Sequence, residues 1–222
     1  MEHTVTIKSI RPITHDVFRI QLEKPEGITY IPGQACDITL TRPGWEKEVR
    51  TFTFTSLQDD DHVEFSIKTY PSHNGVTNQI RTLKAGDKIT LHDIYGDIHY
   101  KGEGVFIAGG AGVTPFIAIF KLLKKNGQIG NNKLIFANKT KGDIIDKDRF
   151  EKLLGKNFIN VLSDEQDSHY EHGYVTPDLI KKYSDSSSKY YYLCGPGPMM
   201  DAVEKHLHSL GVKDESIVKE GF

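Results

Sequence analysis

The sequence predicts a two-domain protein: an antiparallel six-stranded β-barrel, then an α/β domain built on a five-stranded parallel sheet. Three observations predict it. A length of 222 residues suits two cores of roughly 100 residues each. The first hundred residues carry short runs rich in Val, Ile, Phe and Thr, several of them alternating, with turn residues between. After Gly102 the period changes, and apolar runs alternate with amphipathic helical stretches. The change falls near Tyr100–Gly104, giving domains 1–101 and 102–222.

In the first domain, strands are predicted over Thr4–Ile10, Val17–Glu23, Gln34–Leu40, Thr51–Ser56, Val63–Thr69 and Lys88–His92. Pro25-Glu26-Gly27, Pro32-Gly33, Pro43-Gly44, Asp59-Asp60-Asp61 and Ala85-Gly86-Asp87 punctuate them. Six such strands suggest a small barrel, with one helical interruption over Val76–Leu83. In the second domain, strands are predicted over Val105–Ala108, Lys133–Ala137, Ile159–Leu162, Tyr190–Cys194 and Ser216–Lys219. They alternate with helices over Pro115–Lys125, Lys147–Leu154, Pro177–Tyr183 and Met199–Leu210. That alternation predicts a parallel sheet covered on both faces.

Composition excludes several function classes. A formal net charge of −2 gives no basic field for nucleic acid. No apolar run approaches the roughly 18 residues of a membrane span. Met1-Glu2-His3-Thr4 runs straight into an alternating strand pattern, so no signal peptide is expected. The two cysteines, Cys36 and Cys194, are far apart, which points to a reducing, cytoplasmic location and rules out a four-cysteine cluster. The histidines form no metal site in the sequence: His206 and His208 are two apart on a predicted helix, and His169 and His172 fall in a predicted loop.

Three motifs carry chemistry. In Gly104–Phe116 a strand meets the glycine cluster Gly109-Gly110-Ala111-Gly112, then Val113, Thr114 and Pro115 open a helix. Glycines admit close approach, and the free N–H groups of a helix start suit a diphosphate. Pro115 stands where the dinucleotide fingerprint of doubly wound folds has Gly or Ala. In Cys194-Gly195-Pro196-Gly197-Pro198-Met199 a strand again ends in a glycine turn before a helix. Both turns fall at strand carboxyl ends, where open α/β sheets bind ligands. Cys194 there is either near a ligand or a buried structural thiol. In Arg50-Thr51-Phe52-Thr53, Arg50 offers a planar donor fork, with Arg50 and Phe52 on one strand face and Thr51 and Thr53 on the other.

These motifs, in this order, resemble the ferredoxin–NADP reductase family of flavoproteins over nearly the whole chain. The resemblance implies an FAD-binding barrel followed by a nicotinamide-nucleotide domain. Arg50-Thr51-Phe52-Thr53 is similar to the family's Arg-x-Tyr-Ser motif, with Phe for Tyr and Thr for Ser. It implies that Arg50 holds the flavin diphosphate, that Phe52 packs beside the isoalloxazine, and that the Thr53 hydroxyl approaches flavin N5. Gly75-Val76-Thr77-Asn78 resembles the later Gly-x-x-Ser element, and Lys68 joins the same cofactor-binding set. Gly110, Gly112, Val113, Thr114 and Pro115 resemble the nucleotide-diphosphate loop. Cys194, Gly195, Pro196 and Met199 resemble the element beside the nicotinamide. The terminal Glu220-Gly221-Phe222 resembles the family's Glu-x-Tyr ending, so Phe222 either stacks on the flavin or is a frayed tail.

FAD is preferred over FMN because Gly75–Asn78 resembles the FAD-diphosphate region. The electron donor is NADH or NADPH. Asp164 stands where the plant-type members carry a phosphate-binding Arg, and Asn138 with Asp143 resembles the NADH-cytochrome reductase branch. Lys139 and Lys141 point the other way, and the balance favours NADH. The implied reaction passes hydride from nicotinamide to flavin, with Thr53, Cys194 and Glu220 as the catalytic set and no metal. The acceptor is a separate ferredoxin, flavodoxin or small cytochrome. The alternatives are a reductase that treats free flavin as substrate, and a flavin-binding electron-transfer subunit without its own turnover.

Overall fold

The computed structural model describes residues 2–220. The chain divides into two compact units. One comprises the residues up to His99 with Thr114–Leu122; the other comprises Tyr100–Val113 and the residues from Leu123 onward.

The first unit contains β1 (His3–Pro12), β2 (Val17–Glu23), β3 (Ala35–Leu40), β4 (Arg50–Thr53), β5 (His62–Lys68), the short helix α1 (Val76–Ile80) and β6 (Lys88–Tyr95). They form an antiparallel sheet in the order β4-β3-β6-β1-β2-β5. β1 serves two partners. His3–Thr6 pair with β6, and from Ile7 onward the strand pairs with β2, with a register shift between Ile7 and Ser9. The two edges meet where Phe54 bridges Phe65 and Thr55 N–H donates to the Glu64 carbonyl at 2.8 Å. The expected strand Thr51–Ser56 ends its ladder with β3 at Thr53: Phe54 N–H still donates to the Gln34 carbonyl at 3.1 Å while the residue bridges Phe65, and Thr55 bonds on the β5 side.

Alternate residues of these strands fill the core, among them Ile20, Leu22, Ile38, Phe54, Phe65 and Leu91, all almost wholly buried. α1 adds Val76 and Ile80 to that core. It ends earlier than the expected Leu83 because the next bonds, Thr82 N–H to Gln79 and Leu83 N–H to Ile80, tighten to i→i+3 spacing.

The second unit is a parallel sheet. Along the chain come β7 (Gly104–Gly109), α2 (Thr114–Lys125, of which Thr114–Leu122 belong to the first unit), β8 (Lys133–Asn138), α3 (Lys147–Leu154), β9 (Phe158–Leu162), β10 (Glu171–His172), α4 (Pro177–Tyr183), β11 (Tyr190–Cys194), α5 (Gly197–Ser209) and β12 (Ile217–Val218). The strand order is β10-β9-β8-β7-β11-β12. The sequence predicts five strands, and the sixth is β10. Its two residues, paired with Val161 and Leu162, join the sheet by backbone bonds alone and carry no apolar pattern; His172 is thus on a strand and not in a loop. β12 is shorter than expected because Asp214–Ser216 forms a 3₁₀ turn.

β7 is buried along its whole length, which accounts for its unbroken apolar run. Tyr192 stacks on Phe106 with ring centroids 4.1 Å apart, and its hydroxyl accepts from Lys101 N–H and Gly102 N–H. The sheet grows from β7 through β8 and β9 to β10 on one side, then β11 and β12 add on the other. In open α/β sheets such a reversal, here between β7 and β11, is where ligands bind. Among the described residues, no helix is long and apolar enough to cross a membrane.

Candidate functional site

Both glycine turns singled out by the sequence leave the parallel sheet at this reversal. β7 runs into a 3₁₀ turn, Gly110–Val113, that leads to α2; β11 runs through Cys194 and Gly195 to Pro196, the N-cap of α5. β7 and β11 are direct neighbours, with Ala108 paired to Cys194. The turns interlock. A β-carbon on Gly112 would lie 2.2 Å from the Cys194 carbonyl oxygen and 2.6 Å from the Gly195 nitrogen. Gly110 has a different reason to be glycine: its φ is +52°, with open space around the β-carbon position. Val113 is fully buried and offers a ligand only its backbone. Thr114 and Pro115, also buried, open α2. Met199 packs against the core beneath β11.

Burial pushes the Cys194 thiol up to about 12, and the Glu220 carboxylate adds to the effect. At neutral pH Cys194 therefore presents an uncharged S–H, not a thiolate nucleophile. Asn138, at the carboxyl end of β8, is 8% exposed. Neither atom of its side-chain amide has a hydrogen-bond partner among the described residues. Leaving such a group unsatisfied costs about 1–3 kcal/mol, which a polar ligand at the strand end would offset.

The charged residues weighed for the ribose have distinct local duties. The Asp143 Oδ2 accepts from both the N–H and the hydroxyl of Thr140 at 2.8 Å, closing the turn Lys141–Asp143. Asp164 is exposed; its N–H donates to the Lys139 carbonyl at 2.9 Å and its carboxylate accepts from the Ser163 hydroxyl at 2.6 Å. The Lys141 ammonium lies 3.1 Å from Glu165 and 3.9 Å from Asp167, and the bond to Glu165 holds its pKa above the usual lysine range.

In the first unit, β4 is an edge strand of the sheet, so Arg50–Thr53 have a ladder partner on the β3 side only. Arg50 is exposed, with one guanidinium nitrogen donating to the Val49 carbonyl at 2.6 Å and another 3.6 Å from Glu48. The Thr51 hydroxyl meets Asp37 and, at 2.7 Å, the Tyr95 hydroxyl, which itself donates to Asp37 at 2.8 Å. Phe52 is half-buried, opposite Cys36, and packs on the barrel core; Thr53 is opposite Ala35. Lys68 ends β5 and pairs with Asp16 at 3.1 Å. Gly75 is the N-cap of α1 with no side-chain cap, and next to it Val76 buries its side chain while Thr77 stays half-exposed. Phe222 lies outside the described residues.

Sequence reasoning missed the Thr51–Asp37–Tyr95 triad, whose members come from three strands that only register brings together. It also missed Glu64, which is buried beside Arg19 and reached by the partly exposed Lys121.

Comparison with known proteins places these residues in context. The family model described as an oxidoreductase FAD-binding domain matches residues 4–100, and that of an oxidoreductase NAD-binding domain matches residues 106–205. The chain is 32% identical to NADH-cytochrome b5 reductase 1 of Coccidioides immitis (strain RS), spanning 94% of this chain and 74% of that one. It is 30% identical to the reductase component of propane 2-monooxygenase from Rhodococcus jostii (strain RHA1), spanning 97% of this chain and 62% of that one. Among solved structures, the CS-b5R domains of human Ncb5or superpose with a TM-score of 0.87 at 25% identity, covering all of this chain and 70% of that one.

Proposed function

Because this chain belongs to the ferredoxin–NADP reductase-like flavoproteins, with an oxidoreductase FAD-binding domain followed by an NAD-binding domain, we propose that it passes electrons from NADH through bound FAD to a separate acceptor protein. It is an NAD(P)H-dependent flavoprotein reductase. The observation that carries the reading is the meeting of two glycine turns at the reversal of strand order between β7 and β11.

The residues present fit both groups. In the barrel unit, Arg50 on the open edge of β4 has donors within reach of solvent, and the N-terminus of α1 has no side chain capping it. In the parallel-sheet unit, the unsatisfied Asn138 amide and the open space at Gly110 suit a nucleotide. Bound FAD would supply the redox chemistry that links nicotinamide to the acceptor.

The protein's part is to bind and orient. Arg50 holds the flavin diphosphate by a charge-assisted fork, helped by the backbone N–H groups of Gly75 and Val76 and the Thr77 hydroxyl. Lys68 adds positive charge. Phe52 packs beside the isoalloxazine, and Thr53 donates its hydroxyl proton in a bond to N5. Thr51 braces β4 through Asp37 and Tyr95. On the nicotinamide side, the turn Gly110–Pro115 receives the nucleotide diphosphate. The neutral Cys194 thiol, with Gly195, Pro196 and Met199, gives the nicotinamide ring an uncharged wall. Glu220 would assist proton exchange at the flavin.

NADH is the preferred donor. The exposed Asp164 repels a 2′-phosphate, and Lys141 is already held by Glu165 and Asp167. Asp143 supports the same loop through its bonds to Thr140. The acceptor is a ferredoxin, flavodoxin or small cytochrome; the relatives named as a cytochrome b5 reductase and a monooxygenase reductase component support an external carrier. Residues 1–101 act as the flavin domain and 102–222 as the nicotinamide domain, in a cytoplasmic setting consistent with two free cysteines.

Anaerobic stopped-flow mixing of the flavin-loaded protein with NADH and with NADPH tests the reading. Fast bleaching by NADH and slower bleaching by NADPH are expected. If neither bleaches the flavin, the reductase reading is lost.

A further inference from the structure

Glu64 sits on β5 at 3% exposure, outside every motif of the sequence. Its carboxylate accepts from the Thr55 hydroxyl at 3.0 Å, from the Lys121 ammonium at 3.0 Å and from the Gln21 amide at 3.2 Å, and the Arg19 guanidinium stands 3.7 Å away. Burial pushes the carboxyl upward, but Lys121 and Arg19 outweigh it and keep the group ionised. The same Lys121 ammonium donates to the Thr55 backbone carbonyl. Two buried charged groups, Glu64 and Arg19, are thus met by the partly exposed Lys121, where an apolar set of similar volume is often no less stable.

What the cluster does that apolar packing does not is direct. Contacts of apolar side chains are non-directional and tolerate sliding. An ammonium bonded to a backbone carbonyl and to a fixed carboxylate specifies one position of the helix that carries it. Lys121 lies two turns into α2, roughly 10 Å from Thr114 along the axis. Thr55 follows Thr53 by two residues, roughly 7 Å along the chain. One cation therefore ties the strand that bears Thr53 to the helix that begins with Thr114 and Pro115, all within the first unit.

We propose that Lys121, held by Glu64, is a positioning residue for hydride transfer: it pins α2 to the chain just beyond Thr53 and so sets where the Thr114–Pro115 turn stands relative to the flavin strand. The inference rests on the reductase reading above. Lys121 touches neither cofactor nor substrate in this role. Its effect falls on the rate at which bound partners react, since small displacements of reacting groups are costly to rate and cheap in affinity.

The test uses flavin-loaded full-length protein and three variants: Lys121→Met, Lys121→Arg, and Lys121→Met combined with Glu64→Gln, which leaves no buried carboxylate without its cation. Limiting rates of flavin reduction at saturating NADH are measured by stopped flow, alongside bound FAD per chain, thermal midpoint and the apparent Kd for NADH. The double variant should keep its FAD and its NADH affinity within twofold and melt at a lower temperature, because the buried Arg19 loses its carboxylate, yet reduce tenfold or more slowly; Lys121→Arg should recover part of the rate. A double variant that holds FAD and reduces at the wild-type rate overturns the proposal. So does a loss of rate that merely follows loss of FAD. If the wild-type flavin is reduced by neither NADH nor NADPH, the reductase reading itself fails and takes this inference with it.

Discussion

Replacing Gly112 by alanine perturbs the contact between the two glycine turns with a single atom. The added β-carbon would stand 2.2 Å from the Cys194 carbonyl oxygen and 2.5 Å from its carbon. Ordinary contact begins near 3.4 Å, so one backbone must yield by about 1.2 Å. Neither neighbour is the end of a flexible side chain. Overpacking of this kind costs about 1–3 kcal/mol, more than the roughly 0.4–1 kcal/mol that alanine returns by restricting the unfolded chain. The larger effect is on rate. A displacement of about 1 Å in a positioning element costs on the order of a hundredfold in reaction rate. Gly110→Ala is the control: its left-handed φ costs about 1–2 kcal/mol, but open space surrounds the new atom. Stopped-flow reduction by NADH, with thermal melts of both variants, gives the comparison. Gly112→Ala should lose about a hundredfold in limiting rate and Gly110→Ala under tenfold. A Gly112→Ala protein reduced within threefold of wild type would refute the interlock as a functional feature.

Arg50→Ala should weaken FAD binding 10- to 100-fold, from the loss of a charge-assisted contact worth about 1.5–3 kcal/mol, read by titrating apoprotein with FAD and following flavin fluorescence. Asn138→Leu should raise the stability of ligand-free protein by about 1 kcal/mol, since it removes a buried amide without a partner, while weakening NADH about tenfold; urea melts and NADH titrations must move in opposite senses. Stability should fall as pH rises from about 9 to 12. Burial holds Cys36 and Cys194, ordinarily near 9.0, and Tyr30 and Tyr192, ordinarily near 10.0, at about 12, so in that window the unfolded chain has released protons the native state retains. A urea midpoint that stays level from pH 8 to 11 would contradict it.

Much of this fold is legible in the sequence because its elements announce themselves locally. β2 and β11 alternate or run apolar between clear breaks, and α4 begins where the Thr176 hydroxyl accepts from Leu179 N–H ahead of Pro177. What stayed hidden depends on pairing. β10 is two residues joined by backbone bonds, and β4 ends where Phe54 bridges a second partner strand. The site divides in the same way. Arg50 to Thr53 and the glycine turns are local patterns. The bracing of Thr51 by Asp37 and Tyr95, and the pinning of Lys121 by Glu64, need residues that only the folded register brings together.

A glycine in a turn says that something is close without saying what. The cluster after β7 reads as room for a diphosphate, yet Gly112 is forced by the Cys194 carbonyl and Gly110 by its own backbone. These causes are compatible with a ligand and add a constraint to it. Because the Cys194 turn rests against Gly112 with no side chain between them, neither turn shifts by an ångström without moving the other. The diphosphate end and the nicotinamide end of the proposed nucleotide site are therefore one backbone assembly. Cys194 is placed by that assembly, and its thiol stays neutral through burial. On the proposed reading, main-chain packing at the reversal of strand order would set the orientation of the nicotinamide ring, and side-chain substitutions around it would act by displacing the turns themselves.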